Sequence, residues 1–128
     1  MSHARAVGRG VLLWAVMLIG ISSCTQEPHV SYRTQIEPIL QEHCKECHSL
    51  NGEGYKKSGF SVESYEQLMK GTKFGAVIIP GAAVTSTLYI LITGKADPSI
   101  SMPHGRKPIS DHDIKLIKTW IDQGAKNN

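Results

Sequence analysis

The residues Cys44-Lys-Glu-Cys-His48 constrain this 128-residue chain more than anything else in it. Two thiols three positions apart, followed at once by an imidazole, form a C-x-x-C-H sequence, the spacing of a c-type haem attachment site. The thiols can add to the two vinyl groups of a porphyrin while the adjacent imidazole reaches the iron from the proximal side. A chain carrying such a group must wrap a large flat apolar body. The ligand for its opposite face must come from a distant part of the sequence. Other readings of the same residues fit less well. A closed zinc tetrahedron needs two further ligands, and His43 and His48 lie too near the cysteines in sequence to complete one. A redox dithiol of the thioredoxin kind wants a βαβ setting, which the pattern lacks.

Residues 1–23 read as a secretory signal. Arg5 and Arg9 precede the apolar run Val11–Ile21, which falls short of the roughly 20 residues a spanning helix needs. The run closes on Ile21-Ser-Ser-Cys24, which resembles the lipobox of bacterial lipoproteins, and in that family the Cys is acylated and becomes the mature N-terminus. Cys24 is therefore the expected lipid attachment site. Its acyl chains would hold the protein to a membrane, each buried CH₂ contributing about 0.8 kcal/mol. Ordinary signal cleavage, with Cys24 left as a free thiol, is the alternative. The expected location is outside the cytoplasm, anchored and facing the periplasm. Thr25, in place of the Asp that retains lipoproteins at the inner membrane, tilts the expectation toward the outer one. Three cysteines in an exported protein raise the question of a disulfide with one left over, but lipid at Cys24 and haem at Cys44 and Cys47 account for all of them. Losing Arg5 and Arg9 with the signal lowers the formal charge from +3 to +1, which gives no argument for nucleic acid or an anionic surface.

After a polar tether over 24–31, one small domain runs over 32–128. Four helices are readable in it. Thr34-Gln-Ile-Glu37 has the form of a capping box, Pro38 falls in the first turn, and Ile36, Ile39 and Leu40 make one apolar face leading into Cys44. Ser64 to Lys70 is stopped by Gly71, with Tyr65, Leu68 and Met69 on one side; Met69 reads as core filler. A third helix covers about Ala83 to Ile92. The last has Ser110 as cap, Asp113 three residues on, Ile114, Ile117, Trp120 and Ile121 on one face, and Gly124 as stop. The stretches 49–60 and 95–109 read as loops, and nothing alternates with strand period for long. The class is all-α, with about four helices around one covalently bound haem.

Several pieces of the chain resemble the class I cytochrome c domain, and more narrowly the cytochrome c-like group of planctomycete proteins. They are Ile36-Glu-Pro-Ile-Leu40 ahead of Cys44–His48, Ser64-Tyr65 with Lys70-Gly71, Val77-Ile-Ile-Pro-Gly81, Ser86-x-Leu-Tyr89, Met102-Pro103, and Ile117-x-x-Trp-Ile-Asp-Gln-Gly-Ala125. The chain departs from that pattern where relatives often carry an Arg near Ser61, a partner for a haem propionate. It also lacks their cap and Pro where Ala82 and Ala83 stand. The resemblance implies that the sixth ligand is Met102, in a Pro-containing loop just ahead of the last helix. His104, two residues on, is the rival and would give a bis-His site. His29, His43 and His112 read as solvated or structural.

These readings lead to an expected function. With His48 and Met102 on the metal, the protein would pass single electrons between membrane or periplasmic redox partners, with no small-molecule substrate, and so act as a carrier and not an enzyme. The alternative is a haem subunit of a dehydrogenase, or a peroxidase-like site with a labile sixth ligand. A basic rim that steers partners is weaker than the reading of Lys45, Lys56, Lys57, Lys70, Lys73, Arg106 and Lys107 as solvated loop residues.

Overall fold

The computed structural model describes residues 28–128. The signal segment expected over 1–23, Cys24, and the tether up to 27 lie outside the described residues. Within 28–128 every regular element is helical, and extended backbone pairs only in an isolated bridge between Thr72 and Gly75. The all-α expectation holds. A π-helical turn, Tyr32–Ile36, runs directly into α1, Glu37–His43. Then come α2, Lys45–His48; α3, Glu53–Ser58; α4, Tyr65–Lys70; a 3₁₀ turn, Ala83–Thr85; α5, Thr87–Ile92; and α6, Asp111–Asp122. The sequence reading of about four helices missed α2 and α3, each less than two full turns long.

The first helix begins ahead of the Thr34 box. Ser31 is its N-cap: Ser31 Oγ accepts from the Thr34 amide at 3.4 Å, and Gln35 Oε1 accepts from the Ser31 amide at 3.0 Å. This is the reciprocal logic of a capping box, met three residues early. Pro38 brings no N–H to the next turn, and the turn before it closes on the wider spacing, with the Glu37 amide donating to Tyr32 O. Residues 28–31 are not free of the domain. Val30 is buried, its amide donates to Gln123 Oε1 at 2.8 Å, and Asn128 Nδ2 donates to Val30 O at 3.2 Å.

The third expected helix is broken at Ser86. That side chain is fully buried and must be satisfied. Its Oγ accepts from the Ile79 amide at 2.8 Å and donates to Ala82 O at 2.9 Å. Making those bonds puts the Ser86 backbone in an extended conformation (φ −76°, ψ 122°), which ends the 3₁₀ turn and starts α5. The Asp122 carboxylate fixes the same turn from α6, with Oδ1 accepting from the Ala83 amide at 2.9 Å and Oδ2 from Lys118 Nζ at 2.6 Å. Those two donors hold its carboxyl below the ordinary range, the lysine contributing most.

Helix α6 matches its sequence reading. Ser110 Oγ accepts from the Asp113 amide at 3.1 Å, and Ile117, Trp120 and Ile121 are buried. They share one apolar core with Ile36 and Leu40 ahead of the Cys pair and Leu68 of α4. Met69 packs at its edge, as filler should. Tyr32 sits at the centre, 5.1 Å from the Tyr65 ring edge-on and 5.5 Å from Trp120. Trp120 Nε1 donates to Lys126 O at 2.9 Å, and Tyr65 OH to Ala125 O at 2.7 Å. Burial, with help from Glu37 and Glu66, pushes the Tyr32 phenol up to about 12. This packing braces the start and end of the domain together and leaves its other side to a cavity.

Candidate cofactor site

That cavity has a volume of about 450 Å³ and walls that are mainly apolar, including Phe60, Val77, Leu88, Leu91, Ile92 and Ile109. Cys44, Cys47 and His48 line it, and so do Met102 and His104 from the long loop ahead of α6. The residues read from sequence as attachment and ligand positions thus share one chamber. Its size lies in the range of pockets that enclose a cofactor or drug-sized ligand.

The local backbone explains how each side chain reaches the chamber. Cys44 ends α1, its amide donating to Leu40 O at 2.9 Å, and the next four residues turn at once into α2. This short helix presents both cysteines and His48 to the same space. His48 Nδ1 lies 3.2 Å from Phe60 O, and the two rings meet edge-on with centroids 5.2 Å apart. The carbonyl can only accept, so Nδ1 carries the proton and Nε2 keeps its lone pair for a metal. Burial holds the imidazole below its ordinary pKa, partly offset by the Phe60 bond, and so favours that neutral form. The acceptor, Phe60 O, lies just past the end of α3.

Helix α3 lies close against the back of the histidine, and glycine makes this possible. A Cβ at Gly54 would stand 2.8 Å from His48 Cε1 and 2.8 Å from Cys47 O, and one at Gly52 would stand 2.3 Å from Cys47 O. Neither clash can be relieved without moving the Cys47–His48 backbone or ring. Gly54→Val should therefore displace the imidazole and lengthen the Phe60 bond. The expected result in the haem-loaded protein is a broadened or split ferric spectrum and a destabilisation of about 1–3 kcal/mol, the usual cost of overpacking. Chemical denaturation followed at the haem band measures both.

Burial pushes the Cys44 thiol up to about 11, with Cys47 raising it further and Arg106 lowering it. Such a group is a thiol at neutral pH, unlike the low-pKa cysteines of redox dithiols. Among the described residues no three His, Cys, Asp or Glu side chains gather as a metal site, so the zinc reading of the Cys pair finds no ligand set. The donor set fits a haem instead: two vinyl-reactive thiols, an imidazole with Nε2 free, an apolar chamber and a glycine-backed wall.

Met102 is half-buried at the chamber and packs on the core. Its amide donates to Leu91 O at 2.9 Å, tying the loop to the end of α5. Its neighbour Ser101 donates through Oγ to Ala96 O at 3.1 Å and Asp97 O at 3.2 Å. His104 also lines the chamber but is exposed. His29 lies elsewhere, with Nδ1 2.9 Å from Gln123 Oε1.

Residues 44–104 match the family model described as planctomycete cytochrome C. That match agrees with the resemblance carried by the sequence. No curated protein and no solved structure matches the chain. The matched segment begins on the first cysteine and ends two residues beyond Met102, so it spans both walls of the chamber. The match to a cytochrome c family model implies haem c as the cofactor.

Sequence reasoning missed two contributors. The Phe60 carbonyl carries no side-chain signal at all. The pair of Glu46 and Arg106, whose atoms Oε2 and Nη1 are 2.6 Å apart, joins residues too far apart in sequence to be matched by spacing.

Proposed function

We propose that the chain is a monohaem c-type cytochrome that carries single electrons between redox partners. Cys44 and Cys47 are its covalent tethers, His48 is the proximal ligand and Met102 the distal one. One observation carries the reading: the tether residues, an imidazole with its lone pair free, and a thioether share a single apolar chamber of about 450 Å³. A haem held there would supply a one-electron iron couple. Around it the chain does three things. The Phe60 carbonyl fixes the His48 tautomer, the apolar walls exclude water, and a thioether opposite an imidazole favours the reduced metal and raises the potential relative to bis-His. With His48 and Met102 both given to the iron, the chain would leave a small-molecule substrate no open position there, which supports a carrier over an enzyme.

The location belongs to the same proposal. A signal over 1–23 with acylation at Cys24 would anchor the domain to a bacterial membrane, facing the periplasm. Among the described residues no helix is long and apolar enough to cross a membrane.

Expression with a working haem-ligation system tests the reading. The mature protein should carry one haem per chain that survives acid–organic extraction, with Cys44 and Cys47 unreactive to alkylating reagents. Colourless protein whose thiols alkylate freely would overturn it. His104 also lines the chamber, so Met102→Ala and His104→Ala are compared side by side to decide the distal ligand.

A further inference from the structure

The loop that carries Met102 is well fixed on one side and thinly held on the other. Up to Met102, it is fastened by the Ser101 bonds to residues 96 and 97 and by the Met102 amide on Leu91 O. The next buried residue is Ile109. Between them, residues 104–108 are all exposed. Among the described residues, the hydrogen bonds of 103–108 are two. One is internal, from the Arg106 amide to Pro103 O at 3.4 Å; the other leaves the segment, from Arg106 Nη1 to Glu46 Oε2 at 2.6 Å. Glu46 occupies one of the two positions between the cysteines, on the same short helix as His48. A single ion pair therefore joins the distal loop to the proximal segment, and it is the polar bond of 103–108 that reaches across.

We propose that Glu46 and Arg106 are positioning residues that hold the Met102 loop closed over the metal, so that their pairing sets how readily Met102 gives way to an added ligand. The proposal rests on Met102 being the distal ligand. Neither side chain supplies a tether or the distal thioether; they act through the loop. With 73% of the Glu46 side chain and 45% of the Arg106 side chain accessible, the pair is screened by salt and contributes modestly. A modest contribution matters here because the Met102 arm of the loop has few other restraints on its far side.

The test is imidazole titration of the ferric, haem-loaded full chain, followed by the visible spectrum, in the wild type, E46Q, R106Q, the double variant and the charge-swapped E46R/R106E. Each single variant should bind imidazole roughly two- to five-fold more tightly, the range that exposed pairs support. The double variant should go no further than either single, and the swap should return toward wild type. Raising the salt concentration should tighten imidazole binding to the wild type by a similar factor and leave E46Q and R106Q unmoved. Melting temperatures close to wild type in all four variants would separate positioning from a general loss of fold. Single variants equal to wild type, an additive double, or one salt dependence shared by all would overturn the proposal. Met102→Ala is run alongside. If its ferric spectrum is unchanged, the distal-ligand reading fails and the proposal with it. If the spectrum changes while E46Q binds imidazole like wild type, only the clasp fails.

Discussion

Met102→Ala is expected to convert the haem-loaded protein from a low-spin ferric spectrum to one that binds cyanide or imidazole at neutral pH without competition from a protein sulfur. The reduction potential should fall on the order of 0.1 V, a fraction of the roughly 0.8 V over which axial ligands tune haem proteins. The reason is structural. Met102 and His48 enter the same chamber from two segments that are separately anchored, the first through Leu91 O and the second through Phe60 O at 3.2 Å. Removing the thioether leaves the anchors intact, so the fold should persist while the sixth position opens. Absorbance of the oxidised and reduced forms and a redox titration measure the effect. An unchanged ferric spectrum in Met102→Ala, with a changed one in His104→Ala, would move the assignment to His104.

The second large effect concerns the chain without its cofactor. A chamber of about 450 Å³ left empty in the core carries a heavy penalty. Its apolar walls, Phe60, Leu88 and Ile109 among them, would then face water, and each such side chain left unburied forgoes about 1.5–3 kcal/mol. A domain of this size is stable by about 5–15 kcal/mol in all, so a few such side chains decide whether it packs. Protein made without haem ligation should therefore be molten. It should keep part of its far-ultraviolet circular dichroism but lose the near-ultraviolet signal of Tyr32, Tyr65 and Trp120. A sharp near-ultraviolet melt in that material would show that the aromatic cluster holds the fold unaided.

The parts of the structure that could be read from sequence are those whose signals are local. The C-x-x-C-H spacing needs only five neighbouring residues, and α6 declares itself through Ser110 at its cap and the stripe of Ile117, Trp120 and Ile121. Ser64 likewise caps α4, its Oγ accepting from the Gln67 amide at 3.2 Å. Helix α3 escaped notice because it has no apolar face to betray it. Its Lys56, Lys57 and Glu53 look like loop, and Gly52 and Gly54 look like breakers until the bulk of Cys47 and His48 behind them is known. The break at Ser86 depends on Ile79 and Ala82 lying within its reach, which is tertiary information. The Thr34 box matches the motif, but Ser31 and Gln35 meet the same demand one turn earlier. Most of the site could be placed from sequence; its supporting contacts could not, because they involve backbone carbonyls and partners distant along the chain.

Asn128 accepts from Tyr32 N through its side chain at 2.8 Å and from Arg33 N through its backbone at 3.0 Å, while Gln123 accepts from Val30 N at 2.8 Å. Any tug on the chain ahead of Pro28 meets this lashing before it reaches α1, and the load passes into the far end of α6. The segment from Cys44 to His48 is spared it, much as a cable grip spares the solder joint behind it.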